Sequence, residues 1–339
     1  MNEHYQISFM PWVGLKKAFT IGPVTFWPYP DEAASRINDK EMRLYLDRYF
    51  KSYVDNTRQP IHPIIVCSHG DPCFRPLSEA EHQVLRSCCD IMVFVTIAPQ
   101  VRSAISGMNK TLGPPSSDAF ELITQNFLLN SDDIHVQSGT RTSAGWRIGE
   151  ITFSKPWSVG GSFGSPNEAL MTAFHKCFDS GFPQDLKERL FRSLEWFRLA
   201  HTENEQISEP SKIVMMATAF EILLQFPKNG KRKYFVEYME TNISSREFNR
   251  EVRTDHNTKS FELSLAGCWA WDFYELRSKI VHGDPIVSSD LVFHDWITHS
   301  IVADLLLLEC MEREFLANRC IGDRQVHVAL GWISDKDSE

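Results

Sequence analysis

Residues 271–284 read WDFYELRSKIVHGD, and the pattern of this stretch decides the fold of the C-terminal half. Apolar side chains in it and just before it recur at steps of three or four, which is the spacing of one face of an α-helix. These side chains are Phe261, Leu265, Trp269, Phe273, Leu276 and Ile280. Gly283 suits the left-handed position after a helix, and Pro285 cannot continue one. The stretch therefore predicts a helix that ends at Gly283, with His282 at or next to its C-terminal cap.

Two side chains of this helix, Arg277 and His282, suit phosphodiester chemistry. Histidine exchanges protons near neutral pH, and the planar guanidinium offers paired donors to a phosphate. Positions five residues apart on an ideal helix point about 140° apart. The pair can therefore converge only if the helix end loosens or a second subunit contributes. The alternative is structural: Arg277 pairs with a neighbouring carboxylate, and His282 caps the last carbonyls.

The motif R-x4-H followed by glycine, within FYELRSKIVHGD at residues 273–284, resembles the HEPN superfamily. Together with TAFEILL at residues 218–224 it resembles the ApeA-like branch. The resemblance implies a helical bundle that is often dimeric, with the motif on the third of four helices. Many members are metal-independent ribonucleases of toxin–antitoxin, anti-phage or RNA-processing systems, and others are non-catalytic.

By this resemblance, Arg277 and His282 are the catalytic residues. Cleavage of RNA by its own 2′-OH needs a proton acceptor near neutral pH and a fixed cation beside the phosphorane, and the two residues fit these roles. Glu221 and Ser278 are the supporting residues. Ser278 departs from the pattern, because active members often carry a larger polar residue there, such as Asn, Asp or His.

Other segments of the C-terminal half also predict helices. Residues 183–201 form an amphipathic pattern, and residues 213–226 form a more apolar one. A last helix is expected to open after the capping residues Ser288, Ser289 and Asp290 and to run to about residue 316. With the helix that carries the R-x4-H motif, these make a four-helix core over residues 183–318.

Glu221 is the only charged residue in the second of these helices. A lone carboxylate on so apolar a helix is costly unless it is paired. We therefore expect Glu221 to form a buried ion pair or hydrogen bond that orients Arg277 or another arginine of the bundle.

The segment KNGKRK at residues 228–233 is the clearest basic cluster of the chain. Its cations, Lys228, Lys231, Arg232 and Lys233, are candidates for contact with an RNA backbone. The alternative is a solvated loop followed by the start of a helix. The net charge of −9 argues against indiscriminate binding of nucleic acid and suits a selective enzyme.

Length and composition predict a cytoplasmic protein of two domains. A chain of 339 residues with 42% hydrophobic residues can bury a large core. The N-terminus does not resemble a signal peptide, and no apolar run reaches the roughly 20 residues of a membrane span. Eight cysteines in a chain of this length are typical of reduced thiols in the cytosol.

The N-terminal part predicts a mixed α/β domain over residues 1–160, followed by the helical domain over residues 161–339. Short runs rich in β-branched and aromatic residues predict strands at 5–10, 20–27, 64–67, 91–97 and 146–153. Helical patterns lie at 39–54, 78–89, 118–129 and 167–179, and a Ser78/Glu81 capping box opens the second. The Gly- and Ser-rich segment at residues 158–166 is the expected boundary.

Two further patterns resemble cofactor sites only weakly. Cys67, His69 and Cys73, with His82, Cys88 and Cys89 nearby, lack the closely spaced cysteine pairs of structural zinc sites, so buried thiols are the better explanation. The glycines of the boundary segment lack the Lys-Ser/Thr ending of a phosphate-binding loop. We therefore expect no metal ion and no other cofactor.

These observations favour an α+β protein with a metal-independent endoribonuclease domain, acting as a toxin or anti-phage effector. The expected partners are RNA as the substrate, a second copy of the chain, and an antitoxin or trigger protein; no membrane is expected. The N-terminal domain would sense a trigger or select the RNA. The alternative is a non-catalytic module in which the bundle mediates dimerisation or binds a partner nucleotide or protein.

Overall fold

The computed structural model of the protein describes residues 4–70, 74–106, 116–129, 131, 133–138, 141–156, 166–203, 207–243, 251–254, 259–294 and 297–321. Both helices and strands occur in the described part of the chain, which confirms the predicted α+β class. The chain divides into two units of discontinuous sequence. The first contains residues 1–96, 116–167 and 174–182, and the second contains residues 97–115, 168–173 and 183–339. Residues 158–165 of the expected boundary lie outside the described part of the chain.

The strands of the first unit form one antiparallel sheet and one parallel pair. They are β1 (Tyr5–Met10), β2 (Phe19–Ile21), β3 (Val24–Tyr29), β4 (Tyr53–Val54), β5 (Ile64–His69), β6 (Ile123–Phe127), β7 (Asp133–Ser138), β8 (Arg141–Arg147) and β9 (Phe153–Ser154). Seven of them lie in the order β2-β3-β5-β1-β6-β7-β8 and pair antiparallel throughout. β4 and β9 pair in parallel.

The first four helices begin within the N-terminal 170 residues. They are α1 (Ala33–Arg36), α2 (Lys40–Phe50), α3 (Glu79–Ser106) and α4 (Glu168–Lys176). The predicted capping box opens α3: the Ser78 N–H donates to Glu81 Oε2 at 2.8 Å, and the Glu81 N–H donates to Ser78 Oγ at 3.4 Å. By length and composition, residues 79–103 of α3 would be able to cross a membrane, but 72% of their most apolar window is buried within the protein.

Two predictions for the first unit were wrong. Residues 91–97 are not a strand but the middle of α3, because a continuous apolar run fits a buried helix as well as a buried strand. Residues 118–129 are not a helix. After a 3₁₀ turn at Ser117–Phe120, the β-branched Ile123 and Thr124 enter β6, which pairs with β1.

Two predicted strands have different bounds in the structure. Residues 20–27 form a hairpin of β2 and β3 instead of one strand, with its turn at Gly22. Residues 146–153 contain only the end of β8 and the start of β9.

The second unit is mainly helical. From residue 183 onward its described helices are α5 (Gln184–Ala200), α6 (Glu209–Leu223), α7 (Lys231–Asn242), α8 (Leu265–His282) and α9 (His299–Ala317). Short strand pairs connect them: β10 (Glu251–Thr254) with β11 (Ser260–Leu263), and β12 (Val292–His294) with β13 (Ile297–Thr298). The described part of the bundle thus contains five helices, and α7 is the one that the predicted four-helix core lacked.

The helix that carries the R-x4-H motif lies at the centre of this unit's aromatic core. Trp269 and Phe273 of α8 stack at 4.5 Å between ring centroids, and Trp269 also packs against Phe220 of α6 and Phe235 of α7. All four side chains are fully buried. Three helices therefore share one apolar contact that holds α8 in place.

The ends of two bundle helices differ from the prediction. Phe261 lies in β11, and α8 begins at Leu265 because the Ser264 side chain caps it. α9 begins at His299 with Thr298 as its cap, well after Asp290. The polar residues at 288–290 instead form a 3₁₀ turn, in which Asp290 accepts a hydrogen bond from the Val287 N–H. Capping residues thus predicted a helix start where only one turn forms.

A buried ion pair connects α5 with α9. His201 Nε2 lies 3.1 Å from Asp304 Oδ1, and His201 Nδ1 lies 2.8 Å from the Phe197 carbonyl oxygen. Burial lowers the pKa of His201, but the charge of Asp304 and the hydrogen bonds to Asp304 and to the Phe197 carbonyl together outweigh it, so the pKa lies above its usual value. Both ring nitrogens face acceptors, which favours the protonated imidazolium.

The hairpin turn at Gly22 generates a prediction about the first unit. Gly22 has a φ of +53°, and a Cβ there would collide with the ring of Phe178. Gly22→Ala should therefore lose at least about 2 kcal/mol of unfolding free energy in urea titrations. Gly70→Ala is the matched control, because its φ is +63° and a Cβ there would meet no described atom within 4 Å. Equal losses at the two positions would show that Phe178 moves aside freely.

Candidate functional site

The C-terminal end of α8 is closed by its own backbone. Gly283 adopts a φ of +81°, and its N–H donates to the Ile280 carbonyl at 3.2 Å. The Asp284 N–H donates to the Lys279 carbonyl at 3.0 Å, which completes a Schellman motif. His282, the residue before Gly283, is exposed. Its ring makes no hydrogen bond or ion pair with any described residue. Backbone N–H groups, and not the imidazole, therefore cap these carbonyls.

Arg277 is held against α6. Its Nη2 lies 3.4 Å from Glu221 Oε1, and its guanidinium carbon lies 5.6 Å from the centre of the Tyr274 ring. The Arg277 side chain is 23% exposed, and its buried Nε has no hydrogen-bond partner among the described residues. The guanidinium thus has a fixed direction and donors that the ion pair does not use.

The Glu221 carboxylate contacts donor groups of two other helices, α7 and α8. The Tyr274 hydroxyl donates to Glu221 Oε1 at 2.7 Å, and Lys231 Nζ at the start of α7 lies 2.5 Å from Oε2. Burial and the bond to Glu221 raise the pKa of Tyr274, so its hydroxyl stays protonated. The prediction that Glu221 pairs with an arginine of the bundle is confirmed by its contact with Arg277. We call Glu221, Lys231, Tyr274 and Arg277 the Glu221 cluster.

The structure does not bring Arg277 and His282 to one point within a chain. α8 is a continuous helix through His282, so the two side chains leave it about 140° apart. Arg277 faces α6, whereas His282 projects from another side of the same helix. The helix end has not loosened, which leaves the contribution of a second subunit as the remaining expectation.

The basic residues near the start of α7 do not form one free cationic surface. Lys231 contacts Glu221, Arg232 Nη1 lies 3.4 Å from Glu275 Oε2, and Lys233 Nζ lies 3.6 Å from Glu237 Oε1. Lys228 is exposed in the loop before the helix. Carboxylates thus partly neutralise three of the four predicted RNA-binding cations. Any contact of these cations with RNA would therefore depend on the position of each cation more than on their summed charge.

A groove lies between α7 and the C-terminal half of α8. It encloses about 400 Å³ and is lined by Arg232, Tyr274, Glu275, Ser278, Lys279 and Asp284. Sequence reasoning selected Arg232 and Ser278 but missed the other four residues. The available signal was the i, i+4 spacing of Tyr274 with Ser278 and of Glu275 with Lys279, which places them on one face of a helix. We call this site the α7/α8 groove.

No group of three or more His, Cys, Asp or Glu side chains in the described part of the chain is arranged to hold a metal ion. Cys67, Cys88 and Cys89 are buried, and burial raises the pKa of the Cys89 thiol. His69 lies 3.7 Å from Glu81, and Cys73 lies outside the described residues. Cys67, Cys88 and Cys89 therefore lie in the interior of the first unit.

Comparison of the chain with known protein families, with curated proteins and with solved structures gives no match. The resemblance to the HEPN superfamily therefore stays an expectation from sequence motifs.

The Glu221 cluster generates a stability prediction. Glu221→Ala leaves Lys231 and Arg277 unpaired and removes the acceptor of Tyr274, so the unfolding free energy should fall by about 3 kcal/mol in urea titrations. Glu209→Ala is the control, because Glu209 lies on the same helix but is 56% exposed in its pair with Lys212. That change should cost less than about 0.5 kcal/mol. A Glu221→Ala protein of undiminished stability that lacked activity would instead place Glu221 in the chemistry.

Proposed function

We propose that the helical unit is a metal-independent endoribonuclease that cleaves RNA by attack of the 2′-OH on the adjacent phosphate. The observation that supports this most is an exposed His282 that pairs with no described residue, at a capped helix end, on the helix that also carries the fixed guanidinium of Arg277. The role as a toxin or anti-phage effector follows from the resemblance alone. In this proposal the N-terminal part, residues 1–160, senses a trigger or selects the RNA, and an antitoxin or trigger protein is its partner.

The residue types fit the reaction step by step. A neutral imidazole accepts the proton of the 2′-OH as the oxygen attacks phosphorus. The phosphorane that forms carries extra negative charge, which the guanidinium stabilises through paired donors. An imidazolium then protonates the departing 5′ oxygen. The products are a 2′,3′-cyclic phosphate and a 5′-hydroxyl.

The reaction needs both a base and an acid, and one chain offers one His282. We therefore propose that the working site combines the motifs of two subunits in a symmetric dimer. Arg277 of one subunit can then approach His282 of the other, which the divergence of the two side chains on one helix prevents within a chain. Two nearby imidazoles disfavour double protonation, so that one acts as base while the other holds the proton.

A second candidate function is a non-catalytic module that mediates dimerisation or binds a nucleotide or protein partner. The ion pair of Arg277 with Glu221 favours this reading, because a structural arginine needs no further role. The two functions differ in a simple observation. Expression of an active ribonuclease is toxic and substitution of His282 relieves the toxicity, whereas a non-catalytic module gives no such relief.

Purified protein should cleave RNA in excess chelator and leave 2′,3′-cyclic phosphate and 5′-hydroxyl ends, as read by end-labelling and mass spectrometry. His282→Ala should lower the rate by about 10²–10⁴-fold, the contribution of a general acid–base. Arg277→Lys should also be inactive, since a point charge does not replace a bidentate fork. His62→Ala, at an exposed histidine of the first unit, should retain full activity. Strict dependence on magnesium or 5′-phosphate products would refute this mechanism.

The shared site predicts a dimer in light scattering and a dominant effect of inactive chains. When His282→Ala chains are co-expressed with intact chains, mixed dimers form that lack one of the two imidazoles. Activity should then fall by more than dilution predicts. Full activity from a monomer at assay concentration would refute the shared site and would place the reaction within one chain.

A further inference from the structure

The α7/α8 groove lies on the side of α8 from which His282 projects. His282 follows Ser278 by four residues and Lys279 by three, and both of these line the groove. Positions with these spacings lie on one face of a helix, one turn apart. Asp284, whose N–H completes the Schellman motif, lines the groove beside this end of α8. The groove therefore runs along α8 towards His282, whereas Arg277 points to α6.

Arg232 is the fixed cation of this groove. Its guanidinium carbon lies 4.1 Å from the centre of the Trp271 ring, and its Nη1 lies 3.4 Å from Glu275. These contacts leave the side chain 27% exposed and hold its planar group in one orientation. Seven residues of helix separate Glu275 from His282, a rise of about 10 Å. A phosphate bound by Arg232 and a phosphate at His282 can therefore belong to the same short segment of RNA.

The side chains of the groove match a ribonucleotide better than a simple anion. Arg232 and Lys279 supply two cations, and Glu275 and Asp284 supply two carboxylates, so the groove has no net charge. A bare polyanion gains little there, but a nucleotide brings a phosphate for the cations and amino or hydroxyl donors for the carboxylates. The volume of about 400 Å³ lies within the usual range of small-molecule sites.

We propose that the α7/α8 groove binds the RNA nucleotide that neighbours the cleaved bond. Arg232 and Lys279 hold its phosphate, while Glu275 and Asp284 accept hydrogen bonds from its base or ribose. Ser278 lies between these four side chains and His282. Its small side chain leaves room for the RNA. This proposal rests on the proposed ribonuclease function, since it assigns a subsite to the same reaction.

The test measures binding and cleavage separately, with the full chain. Binding is followed by fluorescence anisotropy of a labelled single-stranded oligonucleotide with 2′-O-methyl riboses, which lacks the attacking hydroxyl. Cleavage is followed with the unmodified RNA. Arg232→Ala should weaken binding at least tenfold and raise KM by a similar factor, with kcat within about twofold, because the contact is equal in the ground and transition states. The slope of the logarithm of the binding constant against the logarithm of salt concentration should also become shallower by about 1, which corresponds to the loss of one phosphate contact.

Arg192→Ala is the matched control, since Arg192 is exposed on α5 and lines no part of the groove. It should leave binding, KM and kcat within twofold of the parent chain. Circular dichroism checks that Arg232→Ala still folds. If it does not, Lys279→Ala replaces it, because Lys279 is exposed, and it should weaken binding about fivefold.

The outcomes separate the groove from the ribonuclease. Cleavage with a KM and an oligonucleotide affinity that are independent of Arg232 and Lys279 would overturn the groove proposal and leave the enzyme. Oligonucleotide binding that depends on Arg232 without any cleavage would support the groove and refute the enzyme. Absence of both binding and cleavage would overturn both.

Discussion

The arrangement of the helical unit depends on one carboxylate in an apolar setting. Glu221 is 15% exposed and is the only charged residue of α6 after Lys212, so its negative charge requires partners within the protein. Those partners come from the first turn of α7 and from two positions of α8. Because Lys231, Tyr274 and Arg277 must all reach the same two oxygens, α6, α7 and α8 are fixed in rotation and in register. The aromatic contact of Trp269 with Phe220 and Phe235 stabilises the same three helices but is less directional.

This constraint also sets what Arg277 can do. The Glu221 cluster contains two cations and one carboxylate, so it keeps one net positive charge despite the ion pair. A guanidinium held by a carboxylate and an aromatic ring retains its orientation at little further entropic cost, which suits the recognition of a phosphorane. The same contacts prevent it from swinging round α8 towards His282 of its own chain. Fixing Arg277 against α6 thus keeps it away from His282 of the same chain, and the proposed site therefore requires a second subunit.

Hydrophobic periodicity and helix-capping residues predicted the parts of the fold that depend on neighbouring residues in the sequence. The end of α8 was predicted because Gly283 alone suits the left-handed backbone there, and the pairing of Glu221 was predicted because an apolar helix does not tolerate a free carboxylate. The middle of α3 was mistaken for a strand because its continuous apolar run has no period to distinguish the two. The start of α9 was misplaced because residues 288–290 cap a single turn as well as they would cap a helix.

The groove was not predicted because it is a property of two helices and not of one. Arg232 belongs to a basic segment in which Lys231, Arg232 and Lys233 contact three different carboxylates once α7 forms. Sequence alone does not show which of these cations lines the groove. Its placement over Trp271 depends on how α7 packs against α8. The chain as a whole carries a charge of −9, which would repel RNA at long range, so the proposed substrate would have to be held by oriented local contacts. In the proposed function, a neutral groove beside a cluster of one positive charge supplies such contacts, and it favours nucleotides that match its donors and acceptors over any other polyanion.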